Sequence, residues 1–496
     1  MPRNFYTITS FLLLSLSFCA CGGGESNTST TPNTPIEQGA FNHYTNDTFR
    51  SSSCTNLPLE VATGIFASPT GSPAATGTQE DPLDLATALS SNSPLQAGQT
   101  LWLIKGTYTG NFISELTGTS LNPIKVKPLP GKRVILDGNT GVSGLAALRI
   151  NGEWTEYYGL ETMSSSMART SAQDTSSPSD IIVNEGVSVQ GANTKVINFI
   201  VHDNTGGGIS SWSNAPNSEL YGNIIYNNGW TAPGRGHGHA IYAQNTTGYK
   251  NLFNNIIFFG FATGIHVYTQ GGAIEGFNVE DNTWFMTGSS DPRASQKKDN
   301  CLIGGFQPVK RLLVKNNQGY SQNARGSRFG YGGDVTGQDG ILENNYLSEN
   351  LWLVGQWDSL AISDTQVHRG IINEDLITNS VNNTFSTVPA SGKKIFVHAN
   401  AYDPRRAKIV IYNFDNDANV SVNLNTVLKV GEAYRIHSTF ALFDSPILEG
   451  VYDGNAIAIP MGTVSAPQPT GLQGIDLEED DPKRKFGTFI LTHGGC

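Results

Sequence analysis

Charge is scarce in this chain. Only 15% of its 496 residues are Asp, Glu, Lys or Arg, too few for the surface of a helix-rich protein, and no stretch of the mature region sustains a helical period of apolar residues. Cysteine is scarce as well, at five. Two of the five lie near the N-terminus. The remaining three, Cys54, Cys301 and Cys496, are an odd number and cannot all pair. A Cys54–Cys301 bridge and three unpaired or buried thiols stand as equal alternatives. Positive charge never dominates: the net charge is −11, and −12 once residues 1–20, whose only charge is Arg3, are set aside. That balance excludes nucleic-acid binding over the whole surface, and a polyanionic ligand would need a local basic patch. Past the first twenty residues no apolar run is long enough to span a bilayer.

The N-terminus reads as a processing signal. Arg3 supplies a short positive region, Phe11–Phe18 the apolar stretch, and Ala20 a small residue directly before Cys21. Phe18-Cys19-Ala20-Cys21-Gly22 resembles a bacterial lipoprotein box with Cys21 as the lipid acceptor, and an ordinary secretory signal is the alternative. Residues 1–20 are then the signal peptide, and residues 21–61 a Ser/Thr/Asn/Pro-rich tether with the segment that follows it. An acyl chain at Cys21 implies an exported protein of the cell envelope, held at a membrane without crossing it. Gly22 after the acceptor leans toward the outer membrane.

What is abundant is glycine, at 55 residues, and a recurring line of an asparagine followed by three mostly apolar residues. It begins at Asn198, Asn223, Asn255 and Asn282, with weaker copies at Asn317 and Asn345; the steps are 25, 32, 27, 35 and 28 residues. A strand-sized unit at this period marks a solenoid, because each unit is too small to bury its own apolar face and must stack on its neighbours. The side-chain amide of such an Asn can form a ladder from coil to coil, and Asn tolerates left-handed backbone.

Residues 62–137 open the solenoid. A brief helix is predicted over Asp84–Leu89 with Asp84 as its cap. A turn at Gln96–Thr100 precedes strands at Leu101–Ile104, Pro123–Lys127 and Val134–Asp137, with Gly106-Thr-Tyr-Thr-Gly110 turning between them. This run resembles the first coils of right-handed parallel β-helix proteins of the pectate-lyase superfold, especially bacterial ones related to chondroitinase B and the alginate lyases. The resemblance covers roughly residues 62–385 and implies an all-β protein whose short helix caps the open end of a solenoid at 62–389. Residues 390–496 differ. Ile395–His398, Ala407–Tyr412, Val420–Leu424, Ala433–Ile436 and Phe486–Leu491 alternate between turns, the pattern of a small antiparallel β-sandwich.

The densest polar constellation is Gly229–Asn245, inside the longer step of 32 residues, where extra residues are expected to leave the coil as a loop. The triplets Gly208-Ile209-Ser210, Ala240-Ile241-Tyr242 and Gly264-Ile265-His266 align, so alternation sends Ser210, Tyr242 and His266 outward on one face. A lyase acting on a uronate polymer needs a cation to neutralise the carboxylate, a base for the α-proton and an acid for the leaving oxygen. Arg235 fits the first role, His239 or His266 the second and Tyr242 the third. His237, Trp212, Trp230, Tyr268, Lys297 and Lys298 are the candidate substrate-binding residues, aromatic rings for sugar faces and cations for acidic groups. The lysines belong to a basic cluster with Arg293, Lys310, Arg311, Arg325 and Arg328. The partner expected is thus an acidic polysaccharide, bound by a monomer.

Other readings of the same residues stand beside this one. His237, His239 and His266 form a possible zinc or copper set, with Asp203 or Glu280 behind it. The resemblance itself implies calcium held by Asn and Glu, with Lys and Arg as catalysts, and no such set is assigned on this sequence. A glycoside hydrolase needs paired carboxylates, whereas Asp203 stands alone in His202-Asp203-Asn204. A non-catalytic glycan-binding surface lipoprotein would use the same face.

Overall fold

The computed structural model describes residues 60–292, 298–322, 326–332, 338–472, 474–475 and 482–494. The signal segment, Cys21, the tether, Cys54, Arg293, Lys297, Arg325 and Cys496 lie outside these residues. Most coils give one short strand to each of three parallel sheets, of 12, 11 and 10 strands. The result is a right-handed parallel β-helix followed by small antiparallel sheets. A helix at Leu85–Leu89 opens the stack. Asp84 caps it by accepting from the Thr87 N–H at 3.0 Å, and Leu85, Ala88 and Leu89 bury themselves in the first coils.

The coil interior is a column of aliphatic side chains, for example Val196, Val201 and Ile209 in one coil and Leu252, Ile257 and Ile265 two coils on. Sheets one and two meet at a tight corner, where the two roles expected of a single Asn are divided between neighbours. Asn198, Asn254, Asp281, Asn316 and Asn344 take the left-handed conformation, with φ of 53–56°. The residue after each of the last four, and Asn223 after the left-handed Gly222, builds the ladder. Asn223, Asn255, Asn282 and Asn317 each donate from Nδ2 to the Oδ1 of the next ladder Asn at 2.9–3.1 Å, ending on Asn345. Asn198 is therefore a corner residue and not a rung. Its ladder neighbour is Phe199, whose N–H donates to Asn223 Oδ1 at 2.9 Å.

The outward faces of the three sheets have different fates. The first carries polar pairs such as Lys195–Glu156 at 3.4 Å and Lys315–Glu343 at 3.0 Å and faces water. The second is covered. Strand Arg406–Asn413 alternates, sending Ala407, Ile409 and Ile411 into the sandwich core while Tyr412 packs on Tyr320 and Tyr346 of the second sheet. Each side of that strand is buried, because one side belongs to the sandwich and the other to the β-helix. The third sheet, of ten strands, keeps Tyr242, His266, Arg328 and Trp352 part-exposed on its outward side and borders a cavity at its Arg149–Trp212 end.

Candidate active site

The register of the third sheet stacks Arg149, Ser188, Ser210, Tyr242, His266, Leu302, Arg328 and Trp352 in one outward column. The expected outward set of Ser210, Tyr242 and His266 is thus a set of direct neighbours. Tyr242 and His266 have ring centroids 5.5 Å apart in a T-shaped contact. Tyr268 lies 5.0 Å from His266 on its far side, and Trp212 lies 5.6 Å from Tyr242.

The segment between Asn228 and Ala240 is a short antiparallel hairpin, pairing Trp230 with His237 and Thr231 with Gly236. Gly238 follows with φ +86°, and a Cβ there would meet the Gly229 Cα at 2.3 Å. This bend separates the two histidines of the hairpin. His237 turns inward and stacks on Trp230 at 4.7 Å, both rings buried. His239 turns onto the open face, where its Nε2 lies 3.0 Å from His266 Nδ1. His237 and Trp230 are therefore not sugar contacts: packing has withdrawn them. The proposed triad of imidazoles is not assembled either, and no group of three potential ligands comes together among the described residues. Asp203 and Glu280 sit on the second and first sheets, away from the histidines.

The described members of the basic cluster also disperse. Lys310 and Arg311 belong to the first sheet, and Arg311 pairs with Glu275 at 3.1 Å. Arg328 is on the open face but lies 3.3 Å from the Asp299 carboxylate. Lys298 packs over Gly288, in the segment between the second and third sheets. Cys301 points into the coil, free and buried, and that burial holds its thiol well above the usual range.

Burial governs the protonation of the centre. It pulls His266 down to about 4, and Arg235 adds to the pull. His239 is lowered too, by burial first and then by His266, Arg235 and His237. Both imidazoles are neutral at physiological pH. Burial raises Tyr242, so its phenol keeps the proton; it donates to the Tyr268 carbonyl at 3.1 Å and accepts from Gln244 Nε2 at 3.0 Å. Arg235 is exposed and donates to Ser176 Oγ at 3.2 Å.

Three residues of the site escaped sequence reasoning. Glu185 accepts from Ser210 Oγ at 2.6 Å, and burial carries its carboxyl up to about 7 against the pull of Ser210, Ser188 and Arg149. Arg149 shares a cavity of about 390 Å³ with Glu185, Ser188 and Trp212. Arg169, 1% exposed, anchors the hairpin by donating to the carbonyls of Gly229 at 2.7 Å and Asn204 at 2.6 Å. Arg149 had one signal available, since the alternation that exposes Ser210 runs back along the same column, whereas Glu185 shares the parity of the inward Val187 and Val189. Arg169 had none, because its partners, backbone carbonyls and the Asp203 carboxylate, are distant in sequence.

No family model and no curated protein sequence matches this chain. Similar solved structures include an alginate lyase from Paenibacillus sp. str. FPU-7, at 17% identity over 61% of this chain and 96% of that one, with a TM-score of 0.40. Pectate lyase Pel9A matches at 14% identity, over 66% of this chain and 80% of its own, with a TM-score of 0.41. XylC in complex with xylose matches at 10% identity, over 86% of this chain and 100% of its own, with a TM-score of 0.42. Likenesses this distant leave the chemistry to the site. The three parallel sheets themselves make this chain a right-handed parallel β-helix.

Proposed function

We propose that the open face of the third sheet binds an acidic polysaccharide and cleaves it by β-elimination. What supports this reading is a neutral imidazole pair packed against a protonated phenol, with the exposed Arg235 near enough to depress both imidazoles. Arg235 neutralises the uronate carboxylate, which makes the α-proton more acidic. His266 takes that proton through Nε2, the ring nitrogen not turned to His239. An arriving anion also offsets the positive field of Arg235 and so strengthens the base. The Tyr242 hydroxyl leaves the Tyr268 carbonyl and protonates the departing glycosidic oxygen. The C–H bond, the C–O bond and one proton on the leaving oxygen account for the whole exchange, and the product carries a new C=C bond.

Trp212 and Tyr268 contribute flat faces for sugar rings. A second reading, glycan capture without cleavage, draws support from the contact of Tyr268 with Phe306 and Tyr331 at 6.2 and 5.4 Å, Phe306 being 53% exposed. We further propose that Cys21 carries the lipid anchor that holds this domain at the cell envelope.

Alginate, pectate, chondroitin and similar polymers incubated with the protein should yield an unsaturated product absorbing in the near ultraviolet. A polymer that binds in an affinity gel without ever releasing that chromophore would replace cleavage by capture. For the anchor, Cys21→Ser should release the protein from membranes into the soluble fraction, and unchanged membrane retention would sink that part.

A further inference from the structure

The cavity beside Trp212 holds chemistry that the elimination step does not use. Arg149 stands three rungs from Tyr242 in the outward column, about 14 Å at ordinary strand spacing. Its Nε donates to Asn151 Oδ1 at 3.0 Å, and its two terminal nitrogens meet no partner among the described residues. The other wall is the segment Ser176–Pro178, whose Ser176 receives the Arg235 hydrogen bond. Arg149 thus lines the cavity, and Arg235 holds its other wall from outside through Ser176, in a chain of net charge −11.

The facing charges are few. Glu185, on the adjoining strand, is the carboxyl that faces Arg149, and its burial keeps it largely protonated on the acid side of neutrality. Asn111, Ser143, Ser176, Ser177, Ser188 and Gln190 complete the polar lining and carry no charge. Trp212 is fixed in place, with its indole N–H donating to Ser188 Oγ at 3.2 Å, so its flat face needs no ordering when a ring packs on it. A planar guanidinium with open nitrogens suits a carboxylate, which it meets through two parallel hydrogen bonds.

We propose that this cavity is a subsite for a second uronate residue of the same chain, with Arg149 receiving its carboxylate and Trp212 its ring. The proposal rests on reading the open face as an acidic-glycan site. It adds a minimum chain length and a charge requirement remote from the bond that breaks.

Calorimetric titration of the full-length protein with mono- to hexasaccharides of a uronate, beside their carboxyl-reduced counterparts, tests it. Affinity should step up once an oligomer spans both Tyr242 and Arg149. Arg149→Gln should remove that step, by roughly tenfold or more, and leave shorter oligomers unchanged. Arg149→Lys should restore part of it, since it keeps the charge and loses the fork. Equal binding of acidic and carboxyl-reduced oligomers, an unchanged step in Arg149→Gln, or no binding at all would overturn the subsite. The same step with sulfated neutral oligomers would overturn the carboxylate assignment. A preserved, Arg149-dependent step without any chromophore would sink the elimination reaction and leave the subsite standing.

Discussion

His266 Nδ1 faces His239 Nε2 at 3.0 Å, so one hydrogen serves two rings. When His266 donates it, the outward Nε2 of His266 is a lone pair ready to accept a proton. When His239 donates it, that same Nε2 carries a hydrogen. The tautomer of the pair thus sets whether His266 can accept a proton on its outward side.

The acid limb of the pH–rate profile should follow His266. A base must be unprotonated, so activity in the free enzyme should fall as pH drops through about 4. Arg235→Gln removes a cation that depresses the imidazole, and the limb should move to higher pH while overall activity drops. Steady-state kcat/KM against pH reads both effects. A limb that stays in place would free His266 from the role of base.

Tyr242→Phe should abolish elimination while costing about 1 kcal/mol of stability, the usual net worth of a hydrogen bond. The phenyl ring keeps its place between Trp212 and His266, and only the hydroxyl contacts to Tyr268 and Gln244 are lost. Turnover together with urea unfolding separates the two consequences. Unfolding of this variant at moderate urea would assign Tyr242 to packing.

The corner and the ladder should respond differently to truncation. Asn282 exchanges hydrogen bonds with Asn255 and Asn317 and donates to the Leu252 carbonyl, all of it buried. Asn282→Ala should cost about 3 kcal/mol, since several buried groups lose partners. Asn316→Ala, at a left-handed corner with φ 56°, should cost about 1 kcal/mol from backbone alone, and Asn316→Gly should restore it. Chemical denaturation of the three variants gives the ranking. Equal losses at positions 282 and 316 would contradict the division of roles.

Glu349 should make the fold less stable as pH rises. Burial raises its carboxyl to about 7, against hydrogen bonds from Ser327, Asn300 and Trp284. The folded state then holds a proton that the unfolded chain releases near its ordinary value of 4.5. Stability from this group is present at acid pH and declines as pH climbs toward 7, by on the order of 3 kcal/mol. Glu349→Gln should flatten that part of the unfolding free-energy curve; a slope identical to that of the unaltered protein would refute the assignment.

His202 works in a higher window. Burial opposes its charge, but Asp203 at 2.8 Å and Glu161 at 3.1 Å prevail and raise it to about 9. Its contribution is complete below about 6.5 and is lost as pH rises through about 9. This cluster joins the β-helix to the C-terminal region: Asp203 accepts from the Thr470 N–H at 2.7 Å, and Arg133 lies 3.8 Å over the Phe443 ring. Alkaline pH should therefore speed proteolytic release of the C-terminal region, and His202→Gln should do so already near neutrality. No acceleration in either case would leave docking to the apolar contacts alone.

The repeated Asn, the glycine-rich turns and the alternation of small, apolar and variable residues determined the solenoid, because stacking leaves a periodic chain few other ways to bury its faces. Alternation likewise put Tyr242 and His266 on one side, since adjacent parallel strands must align. Tertiary structure alone decided the rest. Periodicity is silent on which outward face another layer will cover, and only the docked sandwich shows that the second sheet is closed and the third open. A single left-handed Gly238 parted His237 from His239, a matter of one dihedral angle. Arg169 and Glu185 owe their roles to backbone and side chains brought from other coils, and no local pattern in the sequence records such meetings.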